Sequence, residues 1–170
     1  MPQIFRQEEI EYNELQSDLK PYKWYSSPRL SELGKSKDLF FNMRKLDPDK
    51  YSYPYHFHRN AEEVLLILEG SATLRTTEGL EIVKKGDILF FEMGDTSTHQ
   101  LYNHTTEPCI YFDLRTNNDF DVAEFPDTNK LIIAPLMDIF ERGTQVDYFK
   151  GDENVEQTWA KLKEKQKPNR

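Results

Sequence analysis

The sequence predicts an all-β domain, built as an antiparallel sandwich or barrel. Between residues 53 and 115, short runs rich in β-branched and aromatic residues recur about every ten residues. Glycines or a proline separate these runs, and no helical period lies between them. The candidate strands are YPYHFH, EVLLIL, SATLRT, LEIV, DILFF, HQLYN and CIYFDLR.

The first 37 residues predict an irregular lead-in that packs on the barrel. One short helix is expected near SPRLSELG, where Ser27 could cap the helix and Pro28 suits its first position. From Asp38 the pattern changes, because DLFFNMRKL alternates in part like a strand. The barrel itself is therefore expected over residues 38–116.

The run EVLLIL is apolar on both faces, whereas LEIV and HQLYN alternate. A strand of an antiparallel sheet usually has one face in water. A second layer is therefore expected over its outer side, either the N-terminal segment or another subunit. We favour a homodimer.

Residues 117–170 are expected to form an extension in which no further strands follow Arg115. Its final element, Glu153 to Lys165, predicts a helix with Asp152 as a suitable N-cap. The helix carries a narrow apolar stripe of Val155, Trp159 and Leu162. No repeat or linker divides the chain, so one domain is expected overall.

Composition limits the partners and the compartment. Asp and Glu number 30 against 22 Lys and Arg, a net charge of −8, which argues against nucleic acid or an anionic membrane as the main partner. Cys109 is the single cysteine, which excludes an internal disulfide and a zinc site built from several thiolates. No signal-peptide pattern and no membrane-length apolar run are found, so a cytoplasmic protein is expected.

Two histidines one residue apart raise the question of a metal. His56 and His58 point to the same face of an extended strand, and a turn would bring Glu62 or Glu63 back to face them. His99 lies on another candidate strand. Such an N/O set suits one divalent transition metal per chain: iron, manganese, nickel, zinc, cobalt or copper. An HxH pair alone is weak evidence, since strand histidines are often polar groups satisfied by a neighbour.

The joint pattern resembles the two motifs of the cupin superfamily. The first motif, a glycine, HxH, a glutamate and a glycine at fixed intervals, is matched by His56, His58, Glu63 and Gly70. Its spacing selects Glu63 over Glu62. The second motif is matched by Gly86, Gly94, His99 and Asn103. The sequence departs from the pattern at Lys50 and Glu92, which replace a glycine and a proline, and in a loop before His99 that is two residues longer.

The resemblance covers residues 38–115 and implies a double-stranded β-helix, the jelly-roll barrel of cupins. It implies a metal inside one mouth of the barrel, held by His56, His58, Glu63 and His99. The chain resembles in particular the small single-domain cupins of a largely unassigned subgroup.

A metal-dependent enzyme acting on a small molecule is the leading functional hypothesis, of dioxygenase, decarboxylase or isomerase type. The alternative is a non-catalytic module that binds a small molecule or regulates, with a structural metal. Asn42, Asn103 and Tyr111 are candidate pocket residues. Asp113 and Arg115 share a face with Tyr111 and would grip a polar substrate if that face points inward.

Overall fold

The computed structural model describes residues 2–165 and consists mainly of antiparallel β-strands, which confirms the all-β prediction. The strands of this part of the chain are β1 (Asn13–Gln16), β2 (Lys23–Ser26), β3 (Leu39–Leu46), β4 (Phe57–His58), β5 (Glu63–Glu69), β6 (Ser71–Arg75), β7 (Leu80–Lys84), β8 (Ile88–Phe91), β9 (Gln100–Tyr102), β10 (Cys109–Thr116), β11 (Asp121–Phe125), β12 (Lys130–Ala134) and β13 (Asp138–Glu141). Two α-helices accompany them, α1 (Leu30–Leu33) and α2 (Val155–Lys165). Short 3-10 turns lie at Gln7–Glu9, Asp95–Ser97 and Pro126–Thr128.

One layer is a six-stranded sheet in the order β1-β2-β3-β10-β5-β8. Its central strand β10 pairs antiparallel with both β3 and β5. Along β5, Glu63, Leu65 and Ile67 are buried, whereas Val64 and Leu66 are half-buried on the opposite side. The two-residue period of a strand therefore puts one carboxylate, that of Glu63, on the same face as the apolar core residues.

The second layer consists of two smaller sheets, ordered β7-β6-β9 and β13-β12-β11-β4. A bridge joins them, in which the backbone N–H groups of His56 and His99 donate to each other's carbonyl oxygens at 3.2 and 2.9 Å. Two of the histidines singled out by the sequence are thus paired through their backbones at the seam of this layer.

A hydrophobic core lies between the six-stranded sheet and the β7-β6-β9 sheet. Its buried members come from seven strands: Leu46, Leu65, Ile67, Ala72, Leu74, Val83, Phe91, Leu101, Cys109 and Tyr111. Burial raises the pKa of the Cys109 thiol to about 11, so it is a neutral core residue at physiological pH. At the turn between β5 and β6, Gly70 has a φ of 72°, and a Cβ atom there would lie 2.5 Å from the carbonyl oxygen of Pro108.

Three strands follow Arg115, so the expectation that strands end there was wrong. β11 pairs with β4, placing Ala123 opposite His58, and β12 and β13 extend the same sheet. The apolar run around Pro135 folds as the β12–β13 hairpin, with the proline in the connection rather than in a strand. The extension that begins at residue 117 therefore contributes directly to the sheet that carries His58.

The short N-terminal helix α1 lies where the sequence predicts a helix, but it is held differently. Ser27 does not cap it: the Ser27 hydroxyl accepts from the Met43 amide at 3.0 Å and donates to the Pro28 carbonyl. Instead, the backbone N–H of Leu30 donates to Oδ1 of Asn42 at 3.2 Å. A strand residue distant in sequence satisfies the first turn, which local patterns cannot reveal.

The outer face of the six-stranded sheet is covered unevenly. On the β3 side, the ring of Phe5 packs edge-on against Phe41 at 6.2 Å. On the β8 edge, Ile88 and Phe90 are 70% and 60% exposed. The N-terminal segment thus covers only part of this face, and the homodimer stays a prediction.

The C-terminal helix also matches the expected position, beginning at Val155. Its apolar stripe does not pack on the sheets, because Val155, Trp159 and Leu162 are all exposed. Within residues 2–165, neither helix has the length and apolar content needed to cross a bilayer.

Candidate metal centre

The four residues expected as metal ligands lie together in the interior. All are buried: His56 and His58 at β4, Glu63 at the start of β5, and His99 just before β9. One potential ligand atom from each of His56, His58 and Glu63 lies within 4.8 Å of the other two. His99 completes the group, because its Nε2 lies 3.2 Å from Oε2 of Glu63. Despite the longer loop before it, His99 is only 4% exposed.

Two of the imidazoles are oriented by backbone carbonyls. Nδ1 of His56 lies 2.8 Å from the carbonyl oxygen of Pro54, and Nδ1 of His99 lies 3.0 Å from that of Ser97. A carbonyl oxygen only accepts hydrogen bonds, so each Nδ1 carries the proton. Nε2 of each ring is therefore the nitrogen left to bind a metal, which it does in the neutral form of the imidazole.

The third imidazole is oriented by a carboxylate that the sequence analysis did not identify. Nδ1 of His58 donates to Oδ2 of Asp121 at 2.5 Å, and the other Asp121 oxygen accepts from the Asn60 amide at 3.0 Å. Burial alone would raise the pKa of Asp121, but its hydrogen bond from His58 and the charge it faces there lower it. Metal-binding histidines commonly donate to such a carboxylate.

The Glu63 carboxylate and two imidazole nitrogens lie close together in the cluster. Glu63 Oε2 is buried and has no hydrogen-bond partner among the described residues. Nε2 of His99 is 3.2 Å from this oxygen and Nε2 of His58 is 3.8 Å from it. In the neutral tautomers these nitrogens carry lone pairs, so the three atoms repel unless a cation lies among them.

The charge states suit a cation. Burial lowers the pKa of His56 to about 3, and the neighbouring imidazoles of His99 and His58 act in the same direction. Burial alone would raise the pKa of Glu63, but positive charge on the imidazoles, that of His99 first, holds it below its ordinary value, so this carboxylate is stabilised by a cation beside it. A neutral imidazole and an ionised carboxylate are the forms a metal requires. The set of three nitrogens and one oxygen therefore fits a divalent transition metal.

Residues 109–115 turn their Tyr111 face inward, which the sequence left open. Tyr111 and Asp113 are buried, and the Asp113 carboxylate accepts from Nε of Arg44 at 3.1 Å. Arg115 is half-buried, and its Nη1 lies 3.3 Å from Nε2 of His58. The interior wall next to the histidines is therefore charged.

Asn103 does not act as the pocket residue that was expected. Its Nδ2 donates to the carbonyls of Leu46 and Glu107, and its Oδ1 accepts from the amide and hydroxyl of Thr105. These four contacts use its whole hydrogen-bonding capacity. Asn103 therefore holds the turn after β9 and has none left for a substrate.

The other two candidate pocket residues differ from each other. Asn42 is buried, and its Oδ1 accepts from the first turn of α1. Tyr111 packs in the hydrophobic core, where burial raises its pKa well above the ordinary value. Neither makes a described hydrogen bond to the histidines. Among the described residues, the polar side chains besides Glu63 that reach a nitrogen of these histidines are those of Asp121 and Arg115.

Comparison with known families shows where the likeness lies. Residues 42–115 match the Cupin domain family, a segment that contains all four expected ligands. Asp121 lies beyond this segment. No curated protein is similar enough in sequence to count as a match.

Solved structures share the fold at low sequence identity. A candidate sugar phosphate isomerase from Acidithiobacillus ferrooxidans matches with a TM-score of 0.75 and 17% identity, over 85% of this chain and 95% of that one. A sugar phosphate isomerase of the cupin superfamily from Silicibacter pomeroyi gives 0.73 and 20%, over 86% and 98%. The polyketide cyclase RemF from Streptomyces resistomycificus gives 0.55 and 18%, over 68% and 80%. These matches confirm the double-stranded β-helix.

Proposed function

We propose that this chain, in which residues 42–115 match the Cupin domain family, is a metal-dependent enzyme that acts on a small molecule. One divalent transition metal would be held by His56, His58, Glu63 and His99. The observation that carries the proposal is the buried Glu63 Oε2, which has no hydrogen-bond partner among the described residues and lies 3.2 Å from Nε2 of His99.

The protein residues have separable roles in this proposal. The three imidazoles would supply nitrogen ligands, and the Glu63 carboxylate would neutralise one charge of a divalent ion. Asp121 fixes the ring of His58 through its 2.5 Å hydrogen bond. A bound metal would supply a Lewis acid that polarises a substrate oxygen. The charged interior wall would then orient the substrate and handle its protons.

A proton-transfer reaction of isomerase type suits this wall better than oxygen activation. Asp113 is buried beside Arg44, and burial together with the charge of Glu63 raises the pKa of its carboxyl group. A carboxyl group in such a position can take and return a proton near neutral pH. Two of the solved structures with this fold are described as sugar phosphate isomerases, in agreement with this reaction class.

Metal content tests the first part of the proposal. Protein purified without a histidine tag should contain near one transition-metal ion per chain, measured by elemental analysis. The variants His58→Ala and Glu63→Gln should lose most of it. The matched control is His104→Ala, because His104 is exposed and contacts the Thr73 hydroxyl instead. Equal metal content in all four proteins would refute the site.

Solvent isotope exchange tests the reaction class. The metal-loaded protein is incubated in D₂O with a panel of hydroxy-aldehydes and hydroxy-ketones, and NMR follows deuterium at the carbon next to the carbonyl. Exchange that disappears on chelation and in Glu63→Gln would support isomerase chemistry. A protein that holds metal and binds a compound without any exchange would be a binding module instead.

A further inference from the structure

Arg115 differs from its neighbours on the interior face of the six-stranded sheet. It lies in β10, directly opposite Glu63 on one side and Phe40 on the other. Its guanidinium lies over the ring of Phe40 at 5.2 Å, and Nη1 reaches to 3.3 Å from Nε2 of His58. A positive charge thus lies against the atom that we assign to metal binding.

No carboxylate oxygen of residues 2–165 lies within 4.0 Å of this guanidinium, although its charge acts to lower the pKa values of Asp113 and Asp121. The other arginines described there, apart from the exposed Arg6, each lie within 4.0 Å of a carboxylate: Arg29, Arg44, Arg59, Arg75 and Arg142. Arg115 is half-buried and has no such carboxylate. A partly desolvated guanidinium with five N–H donors and no acidic partner is poised to bind oxygen acceptors.

Metal binding would release a donor of Arg115. Nδ1 of His58 is protonated towards Asp121, so Nε2 is the acceptor for the Arg115 N–H. Once that lone pair is given to a metal, this N–H of Arg115 loses its acceptor. Oxygens of a bound ligand are the natural replacement, at a position next to the metal.

The charges favour an anion. Three neutral imidazoles, the Glu63 carboxylate and a divalent ion sum to +1. Arg115 adds one positive charge and Asp121 one negative charge, while Asp113 is paired with Arg44, so the total stays at +1. The site is therefore positive in a protein whose net charge is −8.

We propose that Arg115 is the anion-binding residue of this site and that the substrate is a small organic anion. A carboxylate or phosphate group would accept two N–H bonds from the guanidinium fork, with a neighbouring oxygen directed to the metal. This inference rests on the proposed function, because it takes the metal to be held by the histidines and Glu63.

Anion binding to the metal-loaded protein tests the proposal, with inorganic phosphate and acetate as probes in low-chloride buffer. Isothermal titration calorimetry is compared for the wild type, Arg115→Gln, Arg115→Lys and Arg6→Gln. Loss of a charge-assisted pair predicts ~10- to 100-fold weaker binding in Arg115→Gln. Arg115→Lys should be intermediate, and Arg6→Gln, which removes an exposed arginine without a carboxylate, should match the wild type. The two probes distinguish a carboxylate site from a phosphate site.

Metal content, measured on the same samples, separates the two proposals. Wild-type metal content in Arg115→Gln with unchanged anion affinity would overturn the role of Arg115 and leave the metal site standing. No detectable binding of either anion by the metal-loaded wild type would do the same. A wild type without metal would overturn the proposed function, and this inference with it. If Arg115→Gln does not fold, Arg115→Lys decides, because an unchanged affinity there refutes bidentate recognition.

Discussion

Replacing Asp121 by asparagine tests how the site is organised beyond its ligands. Asp121 is 7% exposed and joins two elements, since one oxygen accepts from Nδ1 of His58 at 2.5 Å and the other from the Asn60 amide at 3.0 Å. Asparagine has nearly the same shape but only one acceptor oxygen. In Asp121→Asn, either His58 or the Asn60 amide therefore faces an NH₂ group.

The size of the effect follows from these contacts. The substitution removes a short charge-assisted hydrogen bond and the negative charge that makes His58 a stronger donor to a metal. Outer carboxylates of this kind contribute about 10- to 100-fold to metal affinity, or ~1.4 to 3 kcal/mol. The metal-free protein should lose ~1 to 3 kcal/mol of stability, because a buried donor is left without its acceptor.

Metal affinity is measured by competition with a chromophoric chelator, and stability by chemical denaturation of the metal-free protein. Asp127→Asn is the matched control, because Asp127 is a surface aspartate that pairs with Arg75. Asp121→Asn should bind metal more weakly than the control. Equal affinity and equal stability in the two variants would refute the role of Asp121 in orienting His58.

Three further predictions concern the Arg44–Asp113 ion pair, the pH dependence of stability and the oligomeric state. Asp113→Asn should lower the free energy of unfolding by ~3 to 5 kcal/mol, because it leaves Arg44 buried without its partner. An Arg44→Met/Asp113→Leu double variant should recover most of this loss, and equal losses in the two variants would contradict the reasoning. The pKa of His56 is about 3 in the fold against its ordinary 6.5, so the unfolded chain binds the extra proton, and stability falls as pH drops through this window. Relative to His56→Gln, the metal-free wild type should lose ~3 kcal/mol between pH 6.5 and 4, and parallel stability curves would disprove this. Light scattering should give a dimer at micromolar concentration that an Ile88→Asp/Phe90→Asp variant dissociates, and a monomeric wild type would count against the homodimer.

The expected ligands were identified in two ways. The two-residue period of a strand puts residues 56 and 58 on one face, whereas Glu63 and His99 were selected by the resemblance to the two cupin motifs. Asp121 could not be identified in either way. It lies 63 positions from His58 and reaches it only because β11 pairs with β4, in a segment whose acidic composition resembles a loop.

Asn103 and Arg115 show two limits of prediction from a sequence pattern. Asn103 was a candidate pocket residue because it is polar, but its amide is used by the turn that it belongs to. The two-residue period of the strand puts Arg115 on the same face as Tyr111, but it does not show whether that face points to the interior or to solvent. That depends on which sheet packs against it.

The sequence alone determined the all-β class, the positions of most strands and the set of four candidate ligands, because these depend on the period of a strand and on the spacing of motifs along the chain. The tertiary structure decided that the strands continue after Arg115, that Asp121 orients His58, and that the guanidinium of Arg115 lies beside the histidines. These features arise where segments that are tens of residues apart come into contact. The local pattern of residues does not determine which distant segments do so.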